Sequence, residues 1–442
     1  MATHKAHATP TKDFFVRMIT KDISLEDCIL DLIDNCLDGA RKIKHAQSSH
    51  AHIDDYSGFH AKISFDKEFF EIVDNCGGIT IEEAENYAFH FGPRPRNHVD
   101  DYSIGLYGIG MKRAIFKMGD IIDIYSSTPN GAFKTKIDVN QWLPKLDEWD
   151  FDLEDNVPLI PGTGTKINVT NLRPEVSAQF TNPKFANSLA RMIGRDYAQF
   201  LAKGFEIFLN EKNIEGYSFT VRESSDFKPI RLQYTDESGV EVEIIAGMGG
   251  APPDDLQPDE RRSETDYYGW YVLCNDRVVV AADKTSQTVW GDSGFPSWHF
   301  QYYGFIGVVS FHSKDPNLLP WRTTKRDVDS RNGIYRRAIE KMKKATRAWI
   351  DYTNDRKSDI EDAKKHEATA FPKPLFTVPP NPVLVVPKIS KNPDQISYAS
   401  IQYQKPSSEI TKAKKLLGNV RMSNAKLGEK TFEYFLKNES EE

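Results

Sequence analysis

The chain has little cysteine, no long apolar run and no excess of positive charge, and each shortage removes a class of protein. Cys28, Cys36, Cys76 and Cys274 are the only 4 cysteines in 442 residues. They are too few for a disulfide scaffold and show no paired metal-binding spacing, so buried, reduced thiols are expected. No uninterrupted apolar stretch is long enough to span a bilayer, and residues 1–10 carry no apolar leader core. A cytoplasmic chain with no membrane partner is therefore expected. Lys and Arg number 57 against 64 Asp and Glu, a net charge of -7. Global charge thus gives no reason to expect nucleic acid and leaves only local patches for it. No internal repeat is evident, and the histidines between His45 and His60 lie scattered in a polar stretch that reads as surface. What the chain does have is length: 442 residues allow two or three domains with cores of their own.

Four short stretches carry chemistry. In the first, Cys28 to Ala40, the spacing predicts a helix over 24–43, with Ser24 as N-cap, Asp27 in the capping-box position, and Leu25, Ile29, Leu32, Ile33 and Cys36 packed inward. Asp31, Asn35 and Asp38 then share one face. A carboxylate there can orient water, and an amide oxygen one turn away can ligate a hard cation such as magnesium. The second stretch, residues 69–79, reads as an apolar strand ending in Asp74-Asn75 and turning through Gly77-Gly78. An acid so placed can accept a hydrogen bond from an exocyclic amine, although a plain hairpin turn reads the same way.

The third stretch, residues 103–119, is a glycine-rich turn followed by a helix with apolar positions at Met111, Ala114, Ile115 and Met118. Gly105, Gly108 and Gly110 let backbone N–H groups converge on phosphate oxygens at a helix N-terminus, and Lys112 adds a full charge. Two familiar phosphate motifs fail here. Met111 and Arg113 break the P-loop pattern, and Arg113 fills the third glycine position of the dinucleotide fingerprint. The fourth stretch, residues 161–169, is a Gly-Thr turn into an alternating strand, where Thr165 offers a hydroxyl.

In this order the four stretches resemble the GHKL ATP-binding fold of gyrase B subunits, the large heat-shock chaperone, histidine kinases and MutL, with prokaryotic MORC-like and MutL-like proteins alongside. The likeness spans roughly residues 14–172. It implies an α+β chain: a Bergerat-type ATP-binding α/β sandwich, a transducer-like α/β domain and a helical C-terminal tail. It implies ATP and Mg²⁺ as ligands, Asn35 as the magnesium ligand, Asp74 as the adenine-reading carboxylate and Gly78 as the glycine that lets adenine approach. Gly105, Leu106, Tyr107, Gly108, Ile109, Gly110, Met111 and Lys112 form the phosphate-contacting motif, and Asp38, Ile79 and Thr165 complete the binding set. Residues 87–107 correspond to a mobile lid. Two departures stand out: Asp31 occupies the position of the general base where hydrolysing members usually carry Glu, and Cys76 replaces a glycine of the turn.

Beyond residue 175 the pattern becomes a second α/β domain: a helix near 183–203, a strand at 205–209, further strands around 217–222 and 240–247, and a hairpin turning at Asn275-Asp276 that resembles MutL and MORC transducers. The resemblance implies a basic residue reaching the terminal phosphate from this domain; Lys325 is the first choice, with Arg322 and Arg326 as competitors. A helix from Tyr335 buries one stripe and carries a basic face read as solvated. Prolines between 371 and 397 favour an extended tether, in which Leu384-Val385-Val386 offers an edge strand to a partner. The tail over 407–437 is amphipathic and reads as a docking element for a protein partner. The expected division is therefore 1–12, 13–175, 176–355, 356–398 and 399–442. The expected function is slow hydrolysis coupled to lid closure, domain motion or homodimerisation. The alternative is a non-hydrolysing nucleotide-gated switch or interaction protein. The likeness to MORC-like and MutL-like proteins also admits an ATP-driven clamp on DNA in repair or antiviral defence.

Overall fold

A computed structural model describes residues 11–47, 53–92, 100–105, 108–145, 148–155, 157–158, 162–254, 267–292, 294–389, 401 and 403–439. The chain divides into a unit over residues 1–390 and a second over residues 391–442. In the larger unit, Ser24 Oγ accepts the Asp27 N–H at 3.0 Å and starts the helix Leu25–Gln47, whose Cys28, Ile29, Leu30, Ile33 and Leu37 are fully buried. The helix runs a turn further than its apolar spacing alone predicts.

The strands β1 (His60–Phe65), β2 (Phe69–Asp74), β3 (Gly119–Thr128), β4 (Gly131–Asp138), β5 (Gly164–Leu172), β6 (Glu206–Leu209) and β7 (Lys212–Asn213) form one sheet in the order β4-β3-β5-β2-β1-β6-β7. Register pairs Ile63 with Ile72, Ile72 with Ile167 and Ile167 with Ile124, an isoleucine row across four strands. All four are buried. Side chains two residues apart share a face of a strand. The next row on that face is therefore Asp74, Thr165 and Ser126, with Thr165 paired to Ser126 in register. A polar row thus follows directly on an apolar one.

The sheet extends past the expected domain edge at residue 175. β6 pairs in parallel with β1, His60 opposite Glu206, after a crossover that contains the helix Pro183–Asp196. Alternation in 205–209 identifies a strand, but a strand pattern does not say which sheet receives it. The predicted helix 183–203 is also interrupted at Tyr197, splitting into Pro183–Asp196 and Ala198–Ala202.

After β8 (Thr220–Glu223), a second sheet, in the order β12-β11-β13-β10-β9, contains β9 (Ile230–Thr235), β10 (Glu241–Met248), β11 (Gly269–Cys274), β12 (Arg277–Asp283) and β13 (Phe305–His312). The β11–β12 turn has Asn275 at φ 47° and Asp276 at φ 70°, the left-handed pair a tight hairpin requires. The helix Gly333–Arg356 packs on this sheet, with Trp270 Nε1 donating to Thr346 Oγ1 at 3.1 Å.

The proline-rich stretch is not a free tether along the part described. Phe371–Pro374 pairs with Thr220–Glu223, and isolated bridges join Arg231 to Asn381 and Lys228 to Val385. An extended chain offers its N–H and C=O groups to any open edge, and here the edge belongs to its own domain. In the smaller unit, the helices Ser407–Leu416 and Asn424–Glu439 leave Leu416, Tyr434 and Phe435 exposed. No helix among the described residues is long and apolar enough to cross a membrane.

Candidate functional site

A cleft opens over the polar row of the first sheet. It is lined by Asp31, Asn35 and Asp38 from the Leu25–Gln47 helix, by Asp74, Gly78, Ile79 and Thr165 from the sheet end, by Gly105, Gly108, Ile109, Gly110, Met111 and Lys112 from the glycine-rich segment, and by Lys325 from the second domain. Of the expected site residues, only Leu106 and Tyr107 lie outside the described residues, as does most of the expected lid beyond Gly92.

At the sheet end, Asp74 Oδ1 accepts the Cys76 N–H at 2.7 Å and the Thr165 N–H at 3.4 Å, while Cys36 Sγ donates to Oδ2 at 3.6 Å. Burial pushes the Asp74 carboxyl up to about 6, against the lowering effect of these bonds. Thr165 and Ser126 share a hydroxyl bond of 3.0 Å, and Ser126 Oγ accepts the Ile79 N–H at 2.7 Å. Gly78 sits at φ 72°, and a Cβ on it would lie 2.2 Å from the Ser127 carbonyl oxygen, so no side chain fits. Gly77, next to Cys76, takes the left-handed conformation at φ 97°.

On the helix, Asn35 is exposed to the cleft and its amide makes no hydrogen bond among the described residues. Asp38 is committed to the loop: Oδ1 accepts the Ile104 N–H at 2.7 Å and Oδ2 the Gly105 N–H at 2.6 Å. Burial pushes its carboxyl up to about 6 as well, opposed by Arg41 and by these two bonds. Lys112, expected to face phosphate, is buried and donates to the Ala88 carbonyl at 2.8 Å. Gly110 opens the helix Gly110–Met118 against Asp31, whose Cβ would be 3.2 Å from a Cβ at 110.

Asp31 is itself buried. Its Oδ2 receives Arg113 Nε at 2.6 Å and Nη2 at 2.5 Å, and its Oδ1 lies 3.6 Å from Lys325 Nζ. Lys325 donates to Asp34 Oδ2 at 2.7 Å. Asp34 is fully buried and also accepts Arg277 Nε and Tyr197 Oη, each at 2.8 Å. Burial alone would raise the Asp34 carboxyl, but Arg277 and Lys325 outweigh it and hold it at about 2. Arg322 is exposed beside Asp327, and Arg326 is taken up by Asp27 and Asp196. Of the three basic candidates in this loop, Lys325 is the one that lines the cleft.

Sequence reasoning missed Asp34, Arg113, Arg277 and Tyr197. An acid at 34 among Leu30, Ile33 and Leu37 signals a buried charge that needs a partner, but the partner is 243 residues away in Arg277.

Tyr102 and Ser103, at the end of the expected lid segment, are tied to the turns of the second sheet. Tyr102 N–H donates to the Lys314 carbonyl at 3.1 Å, and Asn275 Nδ2 donates to the Ser103 and Ser313 carbonyls at 3.4 and 3.2 Å. Arg41 bridges both sides, donating to the carbonyls of Tyr102 and Asn275. Asn275→Gly keeps the left-handed turn and deletes these side-chain bonds together with the one Asn275 Oδ1 accepts from the Ser313 N–H at 3.0 Å. It is expected to lower the unfolding free energy by roughly 1–3 kcal/mol, measured by urea denaturation.

An acid and an amide on one helix, a glycine-rich loop and a carboxylate at a strand end thus meet at one cleft. Residues 23–156 match the family described as histidine kinase-, DNA gyrase B- and HSP90-like ATPase, so this part of the chain is a GHKL-type ATPase domain, a class that binds ATP. Comparison with curated proteins returns no match.

Proposed function

We propose that the protein is a magnesium-dependent ATPase in which nucleotide held in the cleft is read by the second domain through Lys325 and the lid end. The observation that carries this reading is the convergence of Asp31, Asn35, the glycine loop, Asp74 and Lys325 on one cleft. The residues fit the ligand. Gly78 and Gly110 keep the walls open where a Cβ would collide or crowd, and the Ser103 hydroxyl in the cleft wall is buried without a partner among the described residues. Asn35 supplies a neutral oxygen of the kind magnesium takes alongside phosphate oxygens. ATP supplies the phosphoanhydride: water bonds to the terminal phosphorus, the bond to the bridging oxygen breaks with its electron pair leaving on ADP, and the water proton passes to Asp31.

The test is phosphate release beside equilibrium ATP binding for wild type, Asp31→Asn and Asn35→Ala. Wild type is expected to bind ATP with magnesium and to turn over slowly. Asp31→Asn is expected to lose at least about a hundredfold in turnover with binding kept, the scale of a lost general base. Asn35→Ala is expected to lose the magnesium dependence of binding. Absence of ATP binding in wild type overturns the reading.

A second reading, a switch that binds without turnover, is favoured by one observation: the ion pair that occupies Asp31. Tight magnesium-dependent binding with no phosphate release identifies it.

A further inference from the structure

The cations around Asp31 are unequally committed. Lys325 and Arg277 both bond Asp34, whereas the Arg113 side chain bonds only Asp31 among the described residues. Arg113 lies in the first turn of the Gly110–Met118 helix, directly behind the glycine loop, and is buried. Both arms of its fork fall on Asp31 Oδ2, and Lys325 stands beside Oδ1. An oxygen whose lone pairs receive a guanidinium cannot at the same moment receive a proton from water. Asp34 and Asp31 supply two negative charges against three positive charges on Lys325, Arg277 and Arg113. Asp34 keeps Arg277 and Lys325 when Arg113 moves, so Arg113 is the cation whose release strands no other carboxylate than the base itself.

We propose that Arg113 is a positioning residue that restrains turnover: it holds Asp31 out of service until a terminal phosphate at the helix N-terminus draws the guanidinium away. The proposal rests on the ATPase reading above. A guanidinium fork matches phosphate as well as carboxylate, so the two compete for Arg113. ADP has no terminal group at that place and leaves the pair closed. The restraint makes the resting rate slow without weakening nucleotide affinity.

The experiment compares wild type, Arg113→Gln, Arg113→Lys and the double variant Arg113→Gln with Asp31→Asn. Single-turnover phosphate release at saturating ATP and magnesium is measured beside equilibrium binding of ADP and of a non-hydrolysable ATP analogue. Arg113→Gln is expected to raise the single-turnover rate roughly tenfold, because wild type must first break the pair with Asp31, at the cost of one bond to a charged group, before each turnover and the variant need not. Its affinity for the analogue is expected to stay within about threefold of wild type, since the guanidinium exchanges its bond to Asp31 for one to the phosphate and adds no net bond. The gain is expected to vanish in the double variant, because it acts through Asp31. Arg113→Lys keeps the charge and loses the fork, and is expected to show a smaller gain; it also serves if Arg113→Gln does not fold. An unchanged rate in both single variants overturns the proposal and makes the pair structural. A rate that falls as far as in Asp31→Asn, with analogue binding kept, also overturns it and makes Arg113 a group that acts on the phosphate. Wild type that binds neither nucleotide counts against the ATPase reading itself, which separates the two failures.

Discussion

Asp74→Asn is expected to weaken binding of adenosine and ATP by about a hundredfold while leaving the protein folded. The asparagine carbonyl must take the place of Oδ1, because the Cys76 and Thr165 N–H groups point there. Its Nδ2 then stands where Oδ2 stood, and a donor faces the exocyclic amine of adenine. A donor left facing a donor in a buried site costs roughly 3 kcal/mol, which is about a hundredfold in affinity. Folding does not suffer, since the neutral amide avoids the burial that pushes the Asp74 carboxyl up to about 6. That raised value gives the prediction a second arm. The folded state holds the Asp74 proton more tightly than the unfolded chain, where the carboxyl titrates near ~3.9. Its contribution to stability is therefore fully present at low pH and is lost as pH rises through about 6. Adenosine needs the ionised acceptor, so its affinity runs the other way and falls as pH drops through about 6. Adenosine carries no phosphate to titrate in that window. Isothermal titration with adenosine between pH 5 and 7 is expected to show this slope in wild type and none in Asp74→Asn; a flat wild-type profile removes Asp74 as the acceptor.

The parts of this site that are legible in sequence are those set by local periodicity. Helical spacing places Asp31, Asn35 and Asp38 on one face, and strand alternation places Asp74 two residues beyond Ile72 on the cleft side of the sheet. The glycines at 77, 78 and 110 are legible as turn and close approach, and the structure gives each a neighbour that no side chain, or only a crowded one, permits. What is not legible is long-range pairing. Arg113 served in sequence only to reject the P-loop and the dinucleotide fingerprint, yet it closes on an acid 82 residues away. Lys112, one position earlier, looks the better phosphate ligand and is spent on the Ala88 carbonyl. One helical step of 100° separates the two side chains; both line the cleft, and only the packing of the helix decides that one meets the Ala88 carbonyl and the other Asp31. Residues 371–385 show the same limit. Prolines predict an extended chain, which the structure gives at Phe371–Pro374 before a 3₁₀ turn at Leu375–Thr377, but the partner edge at Thr220–Glu223 has no signature in the sequence.

Lys325→Met is expected to lower ATP turnover by roughly 100- to 1000-fold, the scale of removing one preorganised donor to developing charge, while ADP affinity stays within about threefold. Lys325 is buried and has φ 54°, an uncommon conformation for lysine, and its carbonyl is held by Arg277 Nη1 at 3.0 Å. The backbone that carries the ammonium is thus fixed by the same arginine that bonds Asp34. Methionine keeps the length and apolar stem of the side chain and removes the charge. Removing one member of a fully buried pair costs about 3–5 kcal/mol when the partner is left alone. Asp34 is not left alone, because Arg277 and Tyr197 still donate to it. The expected loss of stability is therefore smaller, roughly 1–3 kcal/mol, the cost of one missing bond to a charged group. Single-turnover phosphate release and urea denaturation of the same variant separate the two effects. Turnover within threefold of wild type, with the stability loss present, makes Lys325 only a structural partner of Asp34. Turnover lost with ADP binding kept places the ammonium at the terminal phosphate, and the second domain then senses nucleotide through a residue whose resting partners, Asp31 and Asp34, stand on the same helix as Asn35.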